Sequence, residues 1–504
     1  MILSINAAAQ CPPLAVRNPE GNYIISGVKG GIVYRRVKGV ELAMDAYAHP
    51  GVARRPGVLV IHGGNWDTGS RVAFVGQFLE MLTHAGYNWF SVDYRLGGRA
   101  KASEAVADLR AAVEFIRCHA GALRTDPDNL ILLGEDAGAS LAATLAAERP
   151  TGVKATVLLG GQYDPGANPK LKSMPATLVI HGTNDREAPP EQARAFCDAI
   201  RAGGGSCAFH PVDGASHRPE NWWPNQWGYK QAVVSWLAEQ TKWKGAAPAV
   251  MKTRLRKDLV FDAAHGLKLD AWVPRGQGPF PAVIIAHGGG WEAGDKVTYV
   301  TPLFEPLAKA GIAWFSIDYR LTPQVRHEEQ LADFRRAIQY VRENAKQFRI
   351  DPNRIVILGE SASGQMAAQL ATERPEGVIG VVSFYGVYDF SAMVTEVTPR
   401  SIPARLFGAQ ALDESTRAAM RRYSPIENLR PGMPPMLLIH GTNERLHAQG
   451  VAMAKRLAAM GAPYEFLEVE GAPHGIENWE GHPQWMGYKK RLVEWLKATF
   501  AARQ

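Results

Sequence analysis

Cysteine is scarce in this chain: four residues in 504, Cys11, Cys118, Cys197 and Cys207, all in the first half. Four is too few for a disulfide scaffold, and no pair shows metal-ligand spacing, so no metal centre is expected. Buried free thiols are the expectation, with a short Cys197–Cys207 bridge across a Gly-rich turn as the alternative. Long hydrophobic runs are absent too. No uncharged apolar stretch approaches the roughly 20 residues of a membrane-spanning helix, which excludes a membrane span. Charge of one sign is missing as well: 56 Lys+Arg face 49 Asp+Glu, and the excess of +7 is spread over both halves. With no basic tail or stripe, nucleic acid is not an expected partner. The first ten residues hold a short apolar stretch without the basic flank of a complete secretion signal. A secreted or periplasmic location stays open. What the chain has is apolar material, 46% against 21% charged, enough for buried cores and incompatible with disorder.

That material is arranged twice. Ile61-His62-Gly63-Gly64-Asn65-Trp66 returns as Ala286-His287-Gly288-Gly289-Gly290-Trp291, and Trp89–Leu96 returns as Trp314–Leu321. Leu133-Gly134-Glu135 matches Leu358-Gly359-Glu360 at the same offset of about 225 residues. The later block His181-Gly182-Thr183-Asn184 pairs with His440-Gly441-Thr442-Asn443. Its larger offset leaves the second half with about 34 extra residues, within 388–434. The junction near Thr241–Lys252 predicts domains at 1–245 and 246–504, in intramolecular contact with one another.

Each half alternates short apolar runs with amphipathic stretches. In the second half Ala282–Ala286, Ile312–Ile317, Ile355–Leu358, Val378–Phe384 and Met436–Ile439 read as buried strands. Glu329–Asn344 and Val451–Met460 read as helices. The expected class is α/β, a mostly parallel, doubly wound sheet flanked by helices in each half. Asp258–Asp262 and Leu267–Val273 predict an antiparallel hairpin at the sheet edge.

Ile355–Gly364 reads as a strand, a small-residue turn and a helix, with Ser361 at the turn. Gly359-Glu360-Ser361-Ala362-Ser363 meets the G-x-S-x-G rule of a nucleophile elbow with Ser363 in the last glycine position. His287-Gly288-Gly289-Gly290-Trp291 stands where an oxyanion loop belongs. Glu444 follows one apolar strand and His474 follows the last, which completes the order Ser, acid, His. Asp389 and Asp413 are competing acids without the strand-end context. His287 is expected to orient the oxyanion loop, Glu360 and Glu135 to brace the elbows, and Asp93, Arg95, Asp318 and Arg320 to form structural ion pairs.

On these motifs, with Gly294-Asp295-Lys296 and Asp318-Tyr319-Arg320-Leu321, the second half resembles the α/β-hydrolase superfamily. Within it, the likeness is to the hormone-sensitive-lipase-like and feruloyl/acetylxylan-esterase-like serine esterases. The resemblance covers nearly all of 250–504, and more loosely 25–245. It implies a cofactor-independent esterase with nucleophile Ser361, base His474 and acid Glu444, where relatives usually carry Asp. Oxyanion donors would be the backbone N–H groups of Ala362 and of Gly289 or Gly290.

The first half keeps Asp185 and His217 but has Asp136 where serine is expected. Either Asp136 is itself a nucleophile, or the half has lost catalysis and Asp136 pairs with His217. Asn65 in place of Gly290, and the missing extra segment, favour loss. Trp291, Trp479 and Trp485 are candidate substrate contacts, since indole faces stack on sugar and phenolic rings. Trp222 and Trp227 at matching places in the half without serine favour core packing equally. The expected activity is hydrolysis of acetyl or feruloyl esters of plant carbohydrate, small or polymeric. The alternatives are a general short-chain esterase, lipase or amidase of the same fold, and a binding protein without turnover.

Overall fold

The structure is a computed structural model that describes residues 11–17, 27–51, 53–163, 171, 174–222, 228–245 and 255–502. Trp227 and most of the expected linker lie outside the described residues. The chain divides into two compact units, Met1–Lys252 and Thr253–Gln504.

In the first unit the strands are β1 (Val28–Val37), β2 (Val40–Tyr47), β3 (Arg55–Ile61), β4 (Asn88–Val92), β5 (Thr125–Glu135), β6 (Val153–Leu159), β7 (Ala176–Gly182) and β8 (Cys207–Val212). They form one sheet in the order β1-β2-β4-β3-β5-β6-β7-β8. The second unit repeats the pattern with β9 (Leu255–Asp262), β10 (Leu267–Trp272), β11 (Phe280–Ala286), β12 (Ala313–Ile317), β13 (Ile350–Glu360), β14 (Val378–Phe384), β15 (Met436–Gly441) and β16 (Tyr464–Val469), in the order β9-β10-β12-β11-β13-β14-β15-β16. β10 pairs antiparallel with both β9 and β12, and every pairing from β12 through β11 to β16 is parallel. Both units are α/β sheets of mostly parallel strands.

The apolar runs explain the layering. Val283 to Ala286 and Ile355 to Leu358 are fully buried, because a parallel strand is covered on both faces. The helix His327–Glu343 packs its apolar side, Leu331, Phe334, Ala337, Ile338 and Val341, into this core, while Arg335 and Arg336 form ion pairs on its outer side. The loops that hold Gly289, Ser361, Glu444 and His474 leave the sheet at the C-terminal ends of parallel strands, where the βαβ connections place them on one rim.

Two expectations are corrected. The cysteines are not free: Cys11–Cys118 and Cys197–Cys207 are disulfides, with Cα atoms 5.9 and 5.5 Å apart. Cys197 lies on the buried face of the helix Pro190–Ala202 and Cys207 opens β8, so the Gly203–Gly205 turn returns the chain to bridging distance. The recurring Asp and Arg residues do not pair with each other. Arg320 binds Asp333 on the next helix and Arg95 binds Asp108, while Asp93 binds Arg71. Asp318 accepts the backbone N–H of Lys296, and burial pushes its carboxyl up to about 7. The extra segment at 388–434 contains two α-helices, Ile402–Phe407 and Glu414–Tyr423, whose side chains join the core. Phe390, Phe407 and Tyr423 close around His327 and Trp291. Among the described residues, no helix is long and apolar enough to cross a membrane.

Candidate active site

β13 ends at Glu360, and the helix Ala362–Glu373 begins two residues later. Ser361, between them, sits at φ 55°, ψ −112°. A serine in this rarely occupied region stores about 1–3 kcal/mol of strain. That strain aims Oγ off the sheet edge. Ser363 holds the turn down: its buried hydroxyl donates to Ala286 O at 2.7 Å and accepts the N–H of Glu360 at 2.8 Å. A serine therefore replaces the last glycine of the motif with a tether to β11.

Three loops meet at Ser361. His474, on the loop after β16, faces Oγ with Nε2 at 3.0 Å, and its Nδ1 lies 2.8 Å from Glu444 Oε2. Glu444, on the loop after β15, also accepts from His440 Nδ1 at 2.9 Å and from the N–H of Leu446 at 3.1 Å. Burial works against its charge, but hydrogen bonds from His440 and His474 outweigh it and hold the carboxyl at about 2. His440 belongs to the His-Gly-Thr-Asn block, yet its role as a second donor to the acid was not read from the sequence. Asp389 and Asp413 lie elsewhere in function: each caps nearby backbone N–H groups.

The third loop follows β11. Gly289 and Gly290 have φ of +100° and +61°, conformations that side chains other than Asn and Asp seldom take. His287 shapes this loop from below: its Nδ1 contacts Gly288 O at 2.8 Å and its ring stacks on Tyr319 at 4.3 Å. Complete burial pushes its pKa down to about 4, so the ring is neutral. Ala362, the first residue of the helix, is buried beside the elbow.

The candidate tryptophans are not alike. Trp479 is fully buried, and its indole N–H donates to Pro473 O at 2.7 Å, bracing the His474 loop from within. Trp291 is 3% exposed inside the aromatic cluster. Neither offers a face to a sugar ring. Trp485 is half-buried, tilted against the His482 ring at 4.3 Å and bonded to Glu470 O. Trp222, the counterpart of Trp479, is equally buried. Among the described residues Asp262, His265 and Asp333 gather closely enough to hold an ion, but Arg320 already forks onto Asp333.

The first unit builds the same turn around a different side chain. Asp136 sits at φ 48°, ψ −121°, the counterpart of Ser361. Its Oδ2 accepts the backbone N–H groups of Gly64 at 3.0 Å and Asn65 at 2.7 Å. Its Oδ1 lies 3.3 Å from His217 Nε2, and His217 Nδ1 lies 2.8 Å from Asp185 Oδ2. Asn65 therefore does not disturb the loop as expected: asparagine takes φ 49° readily and still presents its N–H. The two amides converge on the carboxylate of the chain itself. Burial disfavours the charge of His217, but Asp136 and Asp185 on either side overcome it and push its pKa up to about 10. Asp136 and Asp185 are both held below the usual carboxylate range.

This ion triad has a pH signature. The raised His217 pKa contributes stability that is complete below about pH 6.5 and is lost as pH rises through about 10. The lowered Asp136 pKa contributes stability that is lost only in acid. Asp136→Asn should lower the unfolding temperature of its unit at pH 7 by roughly 4–8 °C, taking about 2 kcal/mol for a partly screened pair. Calorimetry from pH 7 to 10.5 checks it. The gap from wild type should narrow as pH approaches 10, and a constant gap would remove the triad as its cause.

Known proteins resemble parts of this chain. The BD-FAE family matches residues 44–156 and 269–457, more than half of the chain and parts of both units. Esterase LipC of Mycobacterium tuberculosis is 30% identical over 246 residues, covering 45% of this chain and 61% of LipC. The probable carboxylic ester hydrolase LipM of the same organism is 29% identical over 184 residues, 34% of this chain and 42% of LipM. The chain thus spans between two fifths and two thirds of these relatives' lengths. Among solved structures, a truncated carbohydrate esterase from gut microbiota is 24% identical, covers 49% of this chain and 97% of its own, and has a TM-score of 0.44. With both sheets in the same strand order and the family matched over most of their length, the chain belongs to the BD-FAE family of α/β-hydrolase esterases.

Proposed function

We propose that the second unit is a serine carboxylic-ester hydrolase acting on acetyl or feruloyl esters of plant carbohydrate, and that the first unit is a non-catalytic copy. One observation carries this reading: the unbroken relay from Ser361 Oγ to His474 (3.0 Å) to Glu444 (2.8 Å) on a strained elbow. His474 takes the Ser361 proton as Oγ attacks the ester carbonyl and the C–O bond forms. Glu444 keeps Nδ1 protonated and stabilises the imidazolium without taking its proton. The oxyanion is received by the backbone N–H groups of Gly289, Gly290 and Ala362, each worth about 3–4 kcal/mol. His474 then protonates the departing alkoxide, and water repeats the sequence to free the acid.

The first unit supports the choice of donors. Gly64 and Asn65, counterparts of Gly289 and Gly290, already bind an oxygen of Asp136 at 2.7–3.0 Å. There the carboxylate occupies the place of a substrate oxyanion, and the imidazolium between two carboxylates has no free Nε2 to act as a base. Family membership supports esters as substrates, and the feruloyl/acetylxylan resemblance of the motifs supports carbohydrate. The two disulfides support an oxidising compartment, secreted or periplasmic.

A panel of acetylated xylan, methyl ferulate and p-nitrophenyl esters of rising chain length tests the substrate class. The reading expects kcat/KM to be highest on the acetylated or feruloylated carbohydrate. A maximum on plain short-chain esters would replace carbohydrate with a general esterase. Failure of a fluorophosphonate to label the chain at all would leave a binding protein.

A further inference from the structure

The two units differ at a coupled pair of positions beside their histidines. The first unit has Gly160 after β6 and Arg218 after His217, whereas the second has Tyr385 after β14 and Gly475 after His474. Space accounts for part of the exchange: a Cβ on Gly160 would lie 2.8 Å from the carbonyl oxygen of His217. The second unit accommodates a whole side chain with Tyr385 at φ 35° and Gly475 at φ 95°. A buried aromatic residue at positive φ costs about 1–3 kcal/mol and persists where its surroundings hold it.

Tyr385 links β15, the strand that leads to Glu444, with the His474 loop. Its backbone N–H donates to Ile439 O at 2.8 Å. Its hydroxyl accepts the N–H of Ile476, two residues past His474, at 2.7 Å. The carboxyl of Glu360 lies beside the same hydroxyl and against Gly288 at the root of the oxyanion loop. Burial keeps the phenol protonated far above its ordinary range. Its ring lies 4.5 Å from the His474 imidazole, tilted by 57°. The His474 side chain is 39% exposed against 7% for His217, so the walls of the site grip it much less. In the first unit Gly160 has no side chain to reach the histidine, and the charge of Arg218 acts on Glu135, Glu220 and Asp136.

We infer that Tyr385 is a positioning residue for His474, holding the imidazole between Ser361 and Glu444 and tying its loop to the elbow. It is present only in the unit that keeps its serine. The inference rests on the reading of Ser361, His474 and Glu444 as a catalytic relay.

Three variants of the full chain test it. Tyr385→Phe keeps the ring and removes the hydroxyl. It should lower kcat about 10-fold with KM within about twofold, and slow fluorophosphonate labelling by the same factor. Tyr385→Gly should lower kcat by about 100-fold or more. Adding Gly475→Arg to Tyr385→Gly installs the pair of the first unit, and should not recover kcat. Wild-type kcat in Tyr385→Phe overturns the inference. So does recovery of kcat in the double variant, because the side chain of Tyr385 would then be dispensable for placing His474. If Ser361→Ala is still active, the underlying relay is wrong. If Ser361→Ala is dead and Tyr385→Phe is unimpaired, only the positioning role falls.

Discussion

Replacing Ser361 with alanine in the full chain should reduce ester hydrolysis by about 10⁴-fold or more, whereas Asp136→Ala should leave it within about twofold of wild type. The first loss corresponds to roughly 5.5 kcal/mol of transition-state stabilisation. It follows because the only serine on an elbow with a facing imidazole, among the described residues, is Ser361, with His474 Nε2 at 3.0 Å. The second result follows because the Asp136 carboxylate is committed to Gly64, Asn65 and His217, and supplies no free nucleophile. Initial rates on p-nitrophenyl acetate check both, with mass spectrometry to count labelled sites after fluorophosphonate treatment. One equivalent bound at Ser361 is expected. Turnover in the Ser361 variant within 100-fold of wild type, or its loss in the Asp136 variant, would move the chemistry to the first unit.

Glu444→Gln should cost about 10⁴-fold in kcat with little change in KM. The substitution preserves shape but can turn an amide N–H toward His474 Nδ1, which favours the tautomer that carries its proton on Nε2. An imidazole in that state cannot accept from Ser361. The acid matters here for a reason the geometry makes plain: Glu444 is buried, bonded on both oxygens, and held at about 2, so it stays charged through the working range. Glu444→Asp keeps the charge but withdraws it by one methylene, and should fall between wild type and the amide. Steady-state kinetics of the three proteins decide the matter. A Glu444→Gln enzyme retaining a tenth of wild-type kcat would show that another carboxylate serves His474.

The relation between the two units bears on how such a chain is put together. Strand order, elbow backbone and oxyanion loop agree between them, with Asp136 at φ 48° and Ser361 at φ 55°. What separates them is a handful of side chains. A carboxylate in place of a hydroxyl sets the His217 imidazole between two carboxylates as an ion triad, whereas Ser361 leaves His474 Nε2 facing a hydroxyl. The 388–434 segment adds a second difference. Arg405, on its first helix, bonds Gly290 O at 3.1 Å and pairs with Glu292 at 2.6 Å, so the oxyanion loop of the second unit has a brace from a segment the first unit lacks.

The sequence by itself determined the duplication, the class of sheet, the hairpin edge and the order of Ser361, Glu444 and His474. These are legible because each depends on near neighbours in the chain: a buried parallel strand is a continuous apolar run, and an elbow is small residues between strand and helix. The tertiary structure alone decided which partners meet. Arg320 finds Asp333 and not Asp318, because the helix after β12 brings Asp333 back over the loop. Cys11 finds Cys118 across 107 residues of separation. Trp479 and Trp291 look like sugar platforms in sequence but point into the core, since an indole beside a loop can turn either way and only packing chooses. Asp136 in the grip of Gly64 and Asn65, and Tyr385 against His474, belong to the same class. Each is a contact between loops from different strands, and its geometry exists only once the parallel sheet has set those strand ends side by side.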